Sequence, residues 1–263
     1  MSPFEQLAAP IREQTALKEF EVTDACIRSM ALAQGAQEAA YPDLIGREVL
    51  CAAEYDRAFP HLLMTAAAAR NPDVAPDDLF RFDNLQNPVW FLSPAVCYHT
   101  YAQFAGRILV GPVLITARGK CFRNEGRELS FGRRQIEFEM REIVLLGPGA
   151  WIEQRLPQLQ DQVEAVAAEL GVNGHWQTAE DPFFLPRARG KAFLQRLLAT
   201  KREYCLHDSE NLAIASVNRH GAFFGERFRI LSADHSPAHS ACVAFGLDRW
   251  TAARPRPQLT QRS

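Results

Sequence analysis

No stretch of this 263-residue chain is apolar for the roughly 18–20 residues that a membrane-spanning helix needs. The N-terminus, MSPFEQLAAPIREQ, has neither a basic n-region nor an apolar h-region, so no secretory signal peptide is expected. CxxC pairs are missing too. The six cysteines (Cys26, Cys51, Cys97, Cys121, Cys205, Cys242) are widely spaced. Without a secretion signal they read as cytosolic thiols or metal ligands rather than a disulfide framework, and a cytoplasmic location is expected. Net charge is nearly absent, at −2, which removes any global case for nucleic-acid binding and leaves only local basic surface. Internal repeats and low-complexity tracts are also lacking.

What remains is an ordinary globular composition, 47% hydrophobic and 23% charged. The length suffices to bury a sizeable core as one large domain or two small ones. Residues 1–40 read as mainly helical, with Asp24 as an N-cap ahead of Ile27, Met30, Ala31 and Leu32. Tyr41 with Pro42, and Pro60, are breaks, and 70–88 is a polar loop. From Trp90 onward short β-like segments take over, at 108–116, 136–144, 212–218 and 227–231. Residues 151–171 read as an amphipathic helix. Leu156, Leu159, Val163, Val166 and Leu170 recur at helical steps, Gly171 suits the C-cap, and Pro157 is tolerable only near the start. A second helix-like stretch covers 190–200. Strands without a regular βαβ alternation predict an α+β domain around a largely antiparallel sheet. The tail after Trp250 is expected to fray, with Pro255 and Pro257 cutting off any helix there.

The segment with most chemistry is CFRNEGRELSFGRRQIEFEMREIV, residues 121–144. Arg123 and Glu125 open it, an arginine-rich, glycine-containing loop follows, and a strand alternates Glu with apolar residues. Two strands and their loop can grip a nucleotide this way: a guanidinium holds a phosphate, a carboxylate accepts from an adenine amino group, and an aromatic ring stacks on the base. Alone, the same residues suit an exposed hairpin with solvated charges. A second element, HSACVAFGLDRW at 239–250, runs a small-residue strand into a helix start ending in Asp248 and Arg249.

These two segments resemble motifs 2 and 3 of class II aminoacyl-tRNA synthetases, in that order along the chain. WFLSPAVCYHTY (90–101), DPFF (181–184), LAIASVNRHGAFFGERF (212–228) and a motif 1-like YPDLIGREVLCAAEYDRAFPHLL (41–63) narrow the resemblance. They look like the amino acid:[carrier protein] ligases, relatives of the atypical, zinc-dependent seryl-tRNA synthetases; the ligases themselves lack a tRNA-binding domain of the synthetase kind. The resemblance covers roughly residues 40–250. It implies a class II synthetase-like catalytic domain, an antiparallel sheet flanked by helices, over 41–250. A helical segment at 1–40 would lie on the dimer-forming motif 1 side, a helical carrier-docking insertion near 185–203, and a flexible tail at 251–263.

The implied activity is ATP-dependent activation of a small amino acid, glycine or alanine favoured, and its transfer to the phosphopantetheine thiol of a carrier protein. The implied zinc ligands are Cys97, Glu142 and Cys242, with the fourth position left for the substrate α-amino group. Taken alone, Cys97 and Cys242 would be called buried small hydrophobes. Cys121, beside the arginine, reads as a packing residue. For ATP the resemblance implies Arg123 on the α-phosphate, Glu125 on the adenine amino group, Phe138 stacked on adenine and Arg249 on the γ-phosphate, with Mg²⁺. Lys201 aligns with a lysine near the nucleotide, and Ser216 and Asn218 with the lining of the amino-acid pocket. Leu212 stands where seryl synthetases carry a metal-contacting Glu. A carboxylate nucleophile needs no general base, so none of the seven histidines, His99 and His239 included, is assigned a role.

Residues 186–202, PRARGKAFLQRLLATKR, carry six basic residues and no acid, usually a solvated helix face. Here the resemblance implies docking of an acidic carrier protein. A homodimer through motif 1 is expected, with no membrane and no tRNA partner. Two alternatives stay open: a tRNA-aminoacylating relative, and a catalytically silent paralogue serving as a regulatory or binding module.

Overall fold

A computed structural model describes residues 12–125, 129–130, 133–179, 200–208 and 211–255. Its centre is a seven-stranded sheet in the order β1-β5-β6-β10-β9-β8-β7. The strands are β1 Gln37–Ala40, β5 Val113–Phe122, β6 Glu137–Gly147, β7 Gly174–Thr178, β8 Lys201–Leu206, β9 Ala213–Gly221 and β10 His239–Gly246. β1 pairs parallel with β5, and every other pairing is antiparallel. A small sheet, β2-β4-β3, joins β2 Leu44–Gly46, β4 Trp90–Leu92 and β3 Thr65–Ala66. The largely antiparallel sheet is the one expected from sequence.

One face of the large sheet is closed by α1 (Gln14–Ala33) and, later in the chain, by two further helices, Gly149–Glu169 and Leu247–Ala253. Between α1 and the first of these come α2 (Arg47–Ala52), α3 (Tyr55–Ala58), α4 (Pro76–Leu79) and α5 (Cys97–Gln103). Gly149–Glu169 is therefore α6, Phe223–Phe228 is α7 and Leu247–Ala253 is α8. α6 buries Ile152, Leu156, Leu159, Val163, Val166 and Ala167, one stripe at three- and four-residue steps. Each fully buried Leu or Val there contributes roughly 1.5–3 kcal/mol. Pro157 lies inside this helix rather than at its start, and removes one ladder hydrogen bond that the stripe's burial outweighs. Gly171, with φ +69, ends it in the left-handed conformation that glycine adopts without penalty. α8 inserts Trp250, fully buried, whose Nε1–H donates to the Ile214 carbonyl at 2.8 Å.

The opposite face carries α5 and α7, with Tyr101, Phe224 and Phe228 packed on Val144 and Leu146. Gly225 lets α7 lie on the backbone entering β10, since a Cβ there would meet the Ala238 carbonyl oxygen at 2.0 Å.

Several expectations need correction. Residues 37–40 form the parallel edge strand β1, so 1–40 is not helical throughout; the QEAA sequence lacks the apolar alternation that marks a strand. Asp24 is not an N-cap. It sits inside α1, buried, with its carboxylate bound by Arg141 at 2.6 and 3.0 Å. β5 begins at Val113 rather than 108, where Ile108 makes only an isolated bridge to Leu231. The strand expected at 227–231 is instead the end of α7 followed by Arg229 at φ 54. The proposed docking insertion near 185–203 and the helix at 190–200 fall mainly outside the described residues, as does the DPFF segment; the part that is described is Thr200, in no helix, and the start of strand β8. α8 runs on to Ala253, and most of the tail beyond lies outside the described residues. No described helix is long and apolar enough to cross a membrane.

Candidate active site

Strands β6, β9 and β10 build the site because alternate residues of a strand face opposite sides of a sheet. On β6, Ile143 and Leu145 enter the core under α6, while Phe138, Met140 and Glu142 border a cleft of about 1080 Å³ on the other face. On β10, Ala241, Val243 and Phe245 face the core, and Cys242 and Ala244 face the cleft. Register puts Ala244 opposite both Glu142 and Ser216, and Cys242 opposite both Val144 and Asn218. Cys97 comes from outside the sheet, at the first residue of α5.

Cys97, Glu142 and Cys242 converge. Their ligand atoms lie within 4.8 Å of one another, all three residues are buried, and all three line the cleft. The Glu142 carboxylate accepts from the backbone N–H groups of Val96 and Cys97, at 3.2 and 3.0 Å. Burial first, then the charge of Cys242, pushes its pKa up to about 7. The Cys242 sulfur accepts from the Asn218 side-chain amide at 3.6 Å and lies 4.0 Å from His220 Nε2. The hydrogen bond from Cys97 holds the Cys242 thiol well below its ordinary pKa, against the effect of burial, and the same contact raises Cys97. Two sulfurs and a carboxylate at one wall of a cleft form a donor set that fits zinc, and three protein ligands leave a position open to a substrate. Cys121 is not in this group. It is fully buried against Val96 and Ala117, and burial raises its thiol pKa.

The expected nucleotide residues line the same cleft. Arg123 follows β5, its Nε donates to the Pro94 carbonyl at 3.1 Å, and its guanidinium lies 5.1 Å from the centroid of the Phe138 ring. Glu125 faces Arg134 at 3.9 Å. Arg249, in the first turn of α8, donates from Nε to the Arg133 carbonyl and from Nη1 to the Ala213 carbonyl, both at 2.8 Å. Burial and the neighbouring Arg123 charge lower its pKa, so an anion between the two guanidiniums would relieve a like-charge contact. Asp248 is spent on structure: its carboxylate accepts from the Glu139 N–H at 2.8 Å and from Arg12 at 2.6 Å. Lys201 pairs with Glu203 at 3.0 Å, and the Ser216 hydroxyl accepts from Asn218 at 3.2 Å.

All ten sequence-predicted site residues therefore border one cleft. Residues of the motif 1-like segment, Tyr55, Phe59, His61 and Leu62, border it as well. Sequence reasoning passed over Arg133, Arg134, Glu203 and His220, which also line it. The two arginines were visible in the polar FGRRQ loop. Glu203 adjoins a basic run, and His220, within the quoted 212–228 segment, stands at no metal-ligand spacing, so neither was assigned a role. His99 and His239, set aside from sequence, do not line the cleft.

No family model matches the chain. Amino acid–[acyl-carrier-protein] ligase 2 of Bradyrhizobium diazoefficiens is 31% identical over 230 residues, covering 81% of this chain and 67% of the relative. The chain belongs to the amino acid–[acyl-carrier-protein] ligases. Ligase 1 of the same organism is 29% identical over 233 residues, covering 83% of this chain and 71% of the relative. Among solved structures, M. kandleri SerRS in complex with A. aeolicus tRNASec superposes with a TM-score of 0.74 at 18% identity, over 89% of this chain and 51% of that one. The fold is thus that of a class II synthetase catalytic domain.

Proposed function

We propose that this ligase activates a small amino acid, glycine or alanine, with ATP and Mg²⁺, and passes it to the phosphopantetheine thiol of an acidic carrier protein. One observation carries the reading: the Cys97–Glu142–Cys242 cluster, the Arg123 and Arg249 guanidiniums and the Phe138 ring share one cleft. In the first step an amino-acid carboxylate oxygen attacks the α-phosphorus of ATP, and the bond to the pyrophosphate oxygen breaks. Arg123 would neutralise the α-phosphate and Arg249 the departing γ end, while Phe138 stacks on adenine and Glu125 accepts from its amino group. Both guanidiniums are already tied to carbonyl oxygens, so little reorganisation is needed at the moment of reaction. Lys201 would lie by the nucleotide, with Ser216 and Asn218 beside the amino acid.

Cys97, Glu142 and Cys242 would hold zinc, which when bound selects a free α-amino group and so fixes where the carboxylate lies. In the second step the carrier thiolate attacks the acyl carbon and AMP leaves with the bonding electrons of the acyl–oxygen bond. The named relatives act on an acyl-carrier protein, which supports this second half. A homodimer and a cytoplasmic setting belong to the same reading.

Loading of a phosphopantetheinylated carrier, followed by intact-mass spectrometry across the twenty amino acids, tests the proposal. A mass gain with glycine or alanine is expected, and no gain with any amino acid would contradict it. Carrier docking by 186–202, mostly outside the described residues, has its own test. Arg189→Glu with Arg196→Glu should impair loading and spare adenylate formation; equal loss of both activities would refute it.

A further inference from the structure

We infer that His220 is a positioning residue, which aims and holds the Cys242 sulfur through a hydrogen-bond relay that begins at Tyr101 and Ser240. The inference rests on the metal reading of the Cys97–Glu142–Cys242 cluster proposed above. His220 lies on β9, one residue before Gly221 turns the chain with φ +57. Its Nδ1 is 3.3 Å from the Tyr101 hydroxyl and 3.3 Å from the Ser240 hydroxyl, and its Nε2 is 4.0 Å from Cys242 Sγ. Tyr101 and Ser240 are both fully buried.

The direction of the relay follows from what each atom can do. A hydroxyl can donate to Nδ1, and a neutral imidazole that accepts at Nδ1 carries its proton on Nε2. That Nε2–H then faces sulfur, an acceptor with no competing donor role once it is a thiolate. The other tautomer would set the Nε2 lone pair against the lone pairs of sulfur, so the thiolate selects the first. Asn218 adds a second N–H to the same sulfur at 3.6 Å.

The ring is not free to turn away. It packs edge-to-face on Phe224 at 4.8 Å between centroids, and on Tyr101 at 6.1 Å. Outer hydrogen bonds of this kind orient metal ligands generally, and losing one costs about 10–100-fold in metal affinity. The relay needs no change of protonation. Its effect is to narrow the directions from which Cys242 can present a lone pair.

The test uses the full chain, stripped of metal, and measures Zn²⁺ affinity by competition with a chromophoric chelator and the sulfur-to-metal charge-transfer band with Co²⁺. His220→Phe keeps the aromatic packing and removes the donor. It should weaken Zn²⁺ binding about 10–100-fold and shift the Co²⁺ band, while His220→Gln, which restores an N–H, recovers much of both. Wild-type affinity together with an unchanged band in a folded His220→Phe protein would overturn the inference. Should that variant not fold, Tyr101→Phe with Ser240→Ala carries the test, since it removes the hydroxyls that set the tautomer. A partial loss of affinity is then expected, and none overturns the relay. Failure of wild type to bind Zn²⁺, or undiminished binding by Cys242→Ser, would instead bring down the metal reading itself and the inference with it.

Discussion

Replacing Asp24 by Ala should cost about 3 kcal/mol of folding stability. The Arg141 guanidinium, only 3% exposed, rests on the two Asp24 oxygens at 2.6 and 3.0 Å. Removing one partner of a buried, hydrogen-bonded ion pair costs about 3–5 kcal/mol, because the other charge is left without compensation in a poor solvent. The lower end applies here. Glu38, 36% exposed, and the Thr116 hydroxyl remain at 3.4 Å, and each can take up part of the orphaned charge. Arg118 also loses a contact to Asp24 but keeps Glu139 at 2.7 Å. At about 2–4 °C per kcal/mol for a domain of this size, the thermal midpoint should fall by about 6–12 °C. The double variant Asp24→Ala with Arg141→Met should regain most of the loss, since the penalty comes from the unpaired cation rather than from missing attraction. Circular dichroism melts and urea denaturation measure both. A loss below about 1 kcal/mol, or a double variant no more stable than the single, would refute the reasoning.

Arg249→Lys cannot reach both the Arg133 and Ala213 carbonyls as a planar fork does, and should slow ATP–pyrophosphate exchange by about 10²–10³; a change within threefold would argue against a phosphate role. Phe138→Ala should raise the KM for ATP by up to about tenfold, the worth of an aromatic stacking contact, with kcat less affected, and steady-state kinetics with an unchanged KM would contradict stacking. Gly225→Ala forces a Cβ to within 2.0 Å of the Ala238 carbonyl, so its denaturation midpoint should drop despite alanine's better helix propensity, and a raised midpoint would count against the close approach of α7.

Local pattern placed α6 and β6 within a few residues: the apolar periodicity of α6 coincides with its burial, whereas β6 showed as alternating Glu and apolar residues although it is buried without alternation over 141–147. It failed at β1, whose QEAA strand is an edge whose pairing with β5 comes from tertiary structure rather than from side-chain alternation. It failed at Asp24 for a related reason: an acid ahead of an apolar run reads as a cap, and its partner Arg141 lies on a strand distant in sequence. The site followed the same division. Arg123, Glu125 and Phe138 fall within one segment and were visible there, whereas the closeness of Cys97, Glu142 and Cys242 comes from the packing of α5 on β6 and β10. Only the family resemblance linked them. His220 lies in the 212–228 segment that carries the resemblance, yet nothing there gave it a role: its partners come from α5 and β10, and only the folded chain brings them to one ring.

The most direct measurement is amino-acid-dependent ATP–pyrophosphate exchange by the metal-loaded protein, the chelator-stripped protein and the stripped protein resupplied with Zn²⁺, with Cys242→Ser alongside. Exchange should vanish on stripping, return with Zn²⁺, and stay lost in Cys242→Ser. Full exchange by the stripped protein or by Cys242→Ser would contradict the assignment of Cys97, Glu142 and Cys242 as the metal centre on which amino-acid activation depends.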